Sequence, residues 1–158
     1  MSFLFAAALI GSGLLAGTLF GVAVGVVPAF AAVPAGEYVR IHRVVGAGFD
    51  RVMPFIVIAT SAGDLIVAPA VGGPARVLLL AAVVLQAGVA ATSQLGNVPI
   101  NRRVRSLPAG PLPDGWADPR SAWRRWHLLR TSFALAALTA HALAALSLIH
   151  PALEGSLS

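Results

Sequence analysis

Near its N-terminus the chain carries 25 consecutive uncharged residues, from Phe3 to Val27, and most of them are apolar. As a helix, such a run is long enough to cross the roughly 30 Å hydrocarbon core of a membrane. A cleaved signal peptide would have basic residues before a shorter apolar stretch, and no arginine precedes this one. The run therefore predicts a retained transmembrane helix, and it restricts the chain to folds that satisfy their backbone polar groups within lipid.

Three further apolar stretches follow. The predicted spans cover about residues 3–27, 53–71, 75–98 and 122–149, and a short amphipathic helix is predicted over about 37–52. In that helix His42 lies at the centre of the apolar face, with Arg40 and Arg51 opposite. The sequence thus predicts an all-α integral membrane four-helix bundle. It is a single transmembrane domain over residues 1–158, with one interfacial helix between its first two spans.

Glycine and proline supply the local detail. Glycines spaced four residues apart in the first span predict a face that another helix approaches closely, and they are Gly13, Gly17, Gly21 and Gly25. Prolines are expected to break or end helices at positions 28, 34 and 99, because proline lacks a backbone N–H. Asp118 followed by Pro119 is typical of the start of a helix.

Composition excludes several kinds of chemistry. The chain is 58% hydrophobic and 11% charged, whereas soluble domains have about 25% charged residues. There is no cysteine, which excludes disulfides, thiolate nucleophiles and iron–sulfur clusters, and no lysine, which excludes a Schiff base. The net charge of +5 comes from arginines beside the apolar spans, so it indicates membrane topology and not nucleic-acid binding.

The arginines also predict orientation. Nine of the 11 basic residues fall in the two connections that follow the first and third spans. By the positive-inside rule these connections are cytoplasmic, and both termini face outward. We expect an integral protein of the bacterial inner membrane, with the lipid bilayer as its partner and no nucleic acid. A homo-oligomer stays open.

Candidate site residues converge at the same end of the bundle. Trp123, Trp126, His127 and Arg130 share one face of the fourth helix, and ionisable groups at membrane depth usually face a bundle interior or a cavity. The alternatives are an interfacial tryptophan belt and a snorkelling arginine. Asn97 and Asn101 share a face of the third helix, where they either satisfy the carbonyl freed by Pro99 or bind a substrate oxygen. Asp64 is expected to pair with Arg76 or to lie near the surface.

Two motifs give the chain a family resemblance. Asn97-x-Pro99-x-Asn101 follows the third span, and Trp126-His127-x-x-Arg130-Thr131 opens the fourth. With the early glycine-rich helix and Val27-Pro28-Ala29, this layout resembles the anthrone oxygenase-like family of small membrane proteins over nearly the whole chain. Members are linked to oxidation of anthrones to anthraquinones. His127 and His42 stand where the family often has asparagine.

The resemblance implies a chemistry for these residues. A base removes a ring-methylene proton from a lipophilic, anthrone- or quinone-like small molecule, and the enolate reacts with dioxygen. His127 or His42 would be the base, and Asn97, Asn101 and Arg130 would hold the oxyanion. The rings of Trp123, Trp126 and Tyr38 would stack on the substrate. Either no cofactor is needed, or a metal or haem is bound by His42 and His127.

Two other functions remain open from sequence. One is a non-catalytic membrane subunit or small-molecule-binding protein, which would require no proton transfer. The other is a proton-coupled transporter that uses a buried aspartate or histidine. A closed cavity holding the polar residues favours the enzyme, a cavity open to both sides favours transport, and a dry bundle favours a structural role.

Overall fold

The computed structural model describes residues 2–108 and 111–154, and within these residues it contains helices and no strands. The helices are α1 (Ser2–Gly21), α2 (Val27–Ala32), α3 (Ala35–Val67), α4 (Gly73–Thr92), α5 (Val98–Ser106) and α6 (Arg120–Glu154). Single π-helical turns join α1 to α2 (Val22–Val26) and α4 to α5 (Ser93–Asn97), and a 3-10 turn over Ala68–Ala70 extends α3.

Four of the resulting helical segments are long and apolar enough to span a membrane, namely Ser2–Ala32, Ala35–Ala70, Gly73–Ser106 and Arg120–Ile149. The segment α1 packs against α3 and α6, and α4 packs against the same two helices, so the spans form a closed ring. The all-α fold with four potential spans is therefore confirmed. Large apolar side chains such as Phe3, Phe55 and Leu95 project outward, as expected for a surface in lipid.

The prediction of a short interfacial helix over 37–52 is wrong. These residues form the first half of α3, which runs for 33 residues through Pro54 without interruption. At 1.5 Å per residue α3 is about 50 Å long, so it exceeds the hydrocarbon core. The apolar face that was assigned to a membrane-surface helix instead continues through Gly46, Phe49 and Met53 into the interior of the bundle.

The prolines at positions 28 and 99 do not break their helices, because each follows a π-helical turn. The N–H of Val27 donates to the carbonyl of Val22, and the N–H of Val98 donates to the carbonyl of Ser93. This i→i+5 bonding widens the turn just before each proline. The wider turn accommodates the proline, which has no N–H to donate and whose ring crowds the preceding turn. The first and third spans therefore continue to Ala32 and Ser106.

Close helix approach occurs at other glycines than the predicted ones. In the described structure nothing lies within 4 Å of a Cβ placed on Gly13, Gly17, Gly21 or Gly25. A Cβ on Gly11 would instead collide with the hydroxyl of Thr60 on α3, and one on Gly63 would lie 3.4 Å from Ala8. The α1–α3 contact therefore uses the neighbouring face of α1.

Three arginines hold the C-terminal ends of spans. Arg120 donates to the carbonyls of Phe30 and Val33 at 2.8 and 2.7 Å, while Arg43 donates to those of Val104 and Leu107. Arg76 donates to the carbonyls of residues 68, 69 and 71. Helix C-termini leave carbonyls unpaired and carry partial negative charge, so guanidinium groups satisfy both needs.

The capping prediction for the last helix is confirmed at Asp118. Its carboxylate accepts from the backbone N–H of Arg120 at 3.0 Å and from the guanidinium of the same residue. The Arg120 side chain holds the pKa of Asp118 below its ordinary value of 3.8. The loop before α6 is thereby tied to the end of α2.

Candidate functional site

A cavity of about 440 Å³ opens into the bundle between α1, α3, α4–α5 and α6. Its inner end is apolar, with Leu15, Leu19, Val57 and Val89 on the walls. Its other end is polar and lies beside the arginine-rich ends of the spans, where it is lined by His42, Asp50, Asn101, Arg102, Arg105 and Arg130. The volume is in the range of sites that enclose drug-sized ligands.

Asn101 is the centre of a hydrogen-bond network at the polar end. Its Oδ1 accepts from Trp123 Nε1 at 2.9 Å, and because an indole N–H only donates, this contact fixes the orientation of the amide. The same oxygen lies 3.0 Å from His42 Nε2, which must therefore carry a proton. The Asn101 amide nitrogen donates to Asp50 Oδ1 at 3.3 Å, and Arg105 donates to Asp50 Oδ2 at 2.5 Å.

His42 is enclosed by aromatic rings. Phe30 stacks on it at 5.4 Å between centroids, and Tyr38 and Trp123 present edges at 5.2 and 5.5 Å. Its Nδ1 has no hydrogen-bond partner in the described structure. Because Nε2 carries the proton, the side of His42 nearest Asn101 is a donor.

Arg130 lies on the cavity wall and is anchored by His127. Its Nε and Nη2 donate to His127 Nδ1 at 3.1 and 2.8 Å, so that nitrogen is an acceptor. His127 Nε2 consequently bears the proton and donates to the carbonyl of Leu19 at 3.0 Å. Both imidazole nitrogens are used. Within the described residues no carboxylate lies within ion-pair distance of Arg130, whose guanidinium faces the cavity.

The other predicted site residues lie around this cavity without lining it. Asn97 is fully buried in the π-turn and donates to the carbonyl of Trp123 at 3.1 Å. Trp126 packs against Gly96, where a Cβ would overlap the indole. Tyr38 is fully buried in the aromatic cluster, and its hydroxyl has no partner among the described residues. Of the predicted residues, the cavity wall therefore includes His42, Asn101, Trp123 and Arg130.

Sequence reasoning missed Asp50 and Arg105. Asp50 places a carboxylate on the cavity wall, and Arg105 pairs with it from α5. The signal was present, because Gly46, Phe49 and Asp50 lie four, seven and eight residues after His42 on one helical face. Treating residues 37–52 as a separate surface helix hid this face.

The two site histidines do not offer a shared set of metal ligands. His127 stacks on Trp123 at 5.1 Å, and His42 meets the edge of the same indole at 5.5 Å. Each Nε2 donates to an oxygen, and His127 Nδ1 is occupied by Arg130. Among the side chains that the structure describes, in residues 2–108 and 111–149, no three His, Asp or Glu are grouped to hold a metal ion.

A second polar cluster lies in the other half of the bundle. Asp64 and His141 are fully buried and form a pair with Oδ1 and Nε2 at 2.8 Å, so the expected pairing of Asp64 with Arg76 does not occur. Gln86 donates to Asp64 at 3.1 Å, and Ser61 donates to Gln86 at 2.9 Å. These groups lie outside the cavity wall.

Comparison with known proteins supports the resemblance seen in the sequence. The sequence model of the family described as anthrone oxygenase matches residues 42–140, which is 99 of the 158 residues. The matched stretch begins at His42 and includes the cavity residues Asp50, Asn101 and Arg130. A search of the curated proteins and a search of the solved structures each found no match.

Proposed function

The chain belongs to the anthrone oxygenase family, and from this membership and its cavity we propose a membrane-embedded oxygenase that oxidises a lipophilic, anthrone-like molecule with dioxygen. The observation that carries the proposal is Arg130. Its guanidinium stands on the wall of a largely apolar cavity and forms no ion pair with any carboxylate that the structure describes, and two hydrogen bonds to His127 fix its direction. Such a preorganised cation stabilises charge that develops on a substrate oxygen.

The proposed reaction balances as follows. A ring methylene of the substrate loses one proton, and the electron pair of the broken C–H bond spreads onto the ketone oxygen. The electron-rich carbon then bonds to dioxygen and gives a peroxide. Loss of the second hydrogen as a proton, with cleavage of the O–O bond, forms the new C=O bond and releases one molecule of water. The substrate is oxidised by four electrons in total, and dioxygen accepts all four.

Arg130 is the proposed binder of the substrate oxyanion, and His127 is its positioning residue. A base role for His127 is not favoured, because its unprotonated nitrogen already accepts from Arg130. Asp50 is the proposed proton acceptor, since its carboxylate lies on the cavity wall and its partner Arg105 is exposed. Aspartate serves as the base for removing a proton next to a ketone in other enzymes.

His42 and Asn101 are proposed to hold the polar end of the site in one arrangement. Trp123 fixes the Asn101 amide, and Asn101 then fixes the proton of His42 on Nε2. Either the N–H of His42 or the amide of Asn101 can turn to a substrate oxygen with a small side-chain movement. The rings of Phe30 and Trp123 supply flat apolar walls beside them.

The test is oxidation of an anthrone by the purified protein in lipid nanodiscs, followed by absorbance and by oxygen consumption after subtraction of the uncatalysed rate. Removing one donor to an oxyanion commonly lowers kcat by about 10²–10³-fold, and we expect a loss of this size for Arg130→Met. The matched control is Arg103→Met, since Arg103 is exposed and lies off the cavity. An unchanged rate in Arg130→Met contradicts the proposal.

We also propose the orientation that the arginines predict, with both termini outside the cytoplasm of a bacterial cell. The polar end of the cavity would then face the cytoplasmic side, because Arg102, Arg105 and the start of α6 lie there. Reporter fusions after residue 108 and at the C-terminus test it. Cytoplasmic activity only of the C-terminal fusion would reverse the assignment.

A further inference from the structure

The cavity has an opening along the side of the bundle. One lip is the face of α3, and the other is formed by α4, the π-turn and α5. Phe49 and Ile58 on the first lip are 37% and 66% exposed although both line the cavity. On the opposite lip Gln94 is exposed and Ala90 is half-buried. The crevice therefore connects the interior with the outer surface of the spans.

The position of this crevice determines which medium it meets. Ile58 lies 12 residues before Ala70 and Ala90 lies 17 residues after Gly73, the two segment ends that flank the turn between α3 and α4. At 1.5 Å per residue this is roughly 20 Å, so this part of the crevice lies within the hydrocarbon layer. A molecule that passes between these two residues arrives from lipid and not from water.

The charges on the cavity wall limit which kinds of ligand the cavity can bind. Three guanidinium groups, from Arg102, Arg105 and Arg130, line the polar end together with the carboxylate of Asp50, which pairs with Arg105. The result is a formal charge of +2 at one end of an otherwise apolar cavity. Phe30, Phe49 and Trp123 add aromatic rings close to that end. The walls are complementary to a flat aromatic body that carries one acidic group.

We infer that the crevice between α3 and α4–α5 is a lateral entrance from the bilayer, and that it admits a flat aromatic lipophile bearing one acidic group. The acidic group rests at the arginine end beside Arg130, and the apolar body lies along Leu15, Val57 and Val89. This inference deepens the proposed function, because it assigns a substrate class and a route to the same site. Binding and admission are nevertheless measurable without turnover.

Binding is tested with 9-anthracenecarboxylate and its uncharged methyl ester. The protein carries Trp116→Phe and Trp126→Phe, so that Trp123 on the cavity wall is the single donor of energy transfer to the anthracene. In nanodiscs of uncharged lipid we expect the carboxylate to bind at least about tenfold more tightly than the ester. Arg130→Met should remove this preference, whereas Arg103→Met should retain it. Equal affinities of acid and ester in the starting protein overturn the assignment of an acidic ligand.

The route is tested by filling the crevice. Ala90→Phe places a ring on the lip, and Ala91→Phe, one residue along, places the same ring on the lipid-facing surface away from the cavity. Stopped-flow energy transfer should show association slowed at least about tenfold by Ala90→Phe and unchanged by Ala91→Phe. Equal association rates in these two variants overturn the lateral route. A protein that binds the carboxylate through this route but does not oxidise an anthrone would retain the inference and refute the proposed oxygenase.

Discussion

Replacement of Asp64 by leucine or by asparagine should have very different effects on stability. His141 Nδ1 lies 2.8 Å from the carbonyl of Ala137, so that nitrogen carries a proton. One further proton is then shared between His141 Nε2 and Asp64, at 2.8 Å. The pair as a whole is neutral, whichever partner holds that proton. An asparagine amide can donate to Nε2 and accept from Gln86, so it satisfies both neighbours.

The magnitudes follow from this count of partners. Asp64→Leu leaves His141 Nε2 and Gln86 Nε2 without their hydrogen-bond partner at a site that is 0% exposed. Each unpaired buried group costs about 1–3 kcal/mol. Hydrogen bonds between membrane helices average only about 0.6 kcal/mol, because the unfolded chain finds other partners in the bilayer. Taking both values into account, we expect the free energy of unfolding to fall by about 3 kcal/mol in Asp64→Leu and by under about 1 kcal/mol in Asp64→Asn.

Equilibrium unfolding in mixed micelles, with the denaturing detergent varied, gives the free energy of unfolding of each variant. Ser61→Ala is the control, since it removes only the outermost hydrogen bond of the network. If Asp64→Asn destabilises as strongly as Asp64→Leu, then a fixed negative charge is required at this position. The reasoning that an uncharged hydrogen-bonding group satisfies both neighbours would be refuted.

Three other changes test separate features. Gly96→Ala should destabilise the protein by about 1–3 kcal/mol because the new Cβ overlaps the ring of Trp126, and the same unfolding assay measures it. Asp118 has a lowered pKa through its contact with Arg120, so its contribution to stability is complete above its ordinary pKa of 3.8 and is lost as the pH falls below it. Asp118→Asn should therefore lessen the loss of stability below pH 3.8, and an unchanged acid profile would contradict this cause. His127→Asn should retain anthrone oxidation because the new amide oxygen can accept a hydrogen bond from the Arg130 guanidinium. His127→Leu removes this acceptor and should lower kcat for the same reaction. Equal rates in the two variants would exclude the positioning role of His127.

The four spans could be predicted from the sequence because apolar runs of this length with few charged residues have few other folds. The candidate site was harder to predict from the sequence, because its contacts join residues that are distant in the chain. Asn101 and Trp123 were identified as candidates from their helical faces, but the bond between them fixes the tautomer of His42 and is visible only in three dimensions. Asp64 and His141, 77 positions apart, gave no sequence signal of their pairing.

Two errors had a common physical cause. The rules for proline and for amphipathic patterns describe isolated helices, whereas these helices are stabilised by packing in a bundle. Pro99 was expected to end or kink its span, yet a π-turn accommodates it and the helix continues. His42 was placed on a surface helix because polar residues lie opposite it, yet α3 is continuous and directs that face inward.

The π-turns before the two prolines have a consequence for how the chain is organised. Each π-turn passes into the next helix within the same short sequence, Gly25-x-Val27-Pro28 in the first half and Gly96-x-Val98-Pro99 in the second. Farther along, the long helices α3 and α6 each carry an aromatic residue at the fourth position and a histidine at the eighth, in Tyr38-x-Arg40-x-His42 and Trp123-x-Arg125-x-His127. The two halves of the chain therefore carry two copies of one local pattern, the first ending on α3 and the second on α6. At the eleventh residue of these helices the copies differ, with Val45 in one and Arg130 in the other, and both line the cavity. Arg130 therefore gives the second copy a cation on the cavity wall where the first has an apolar side chain.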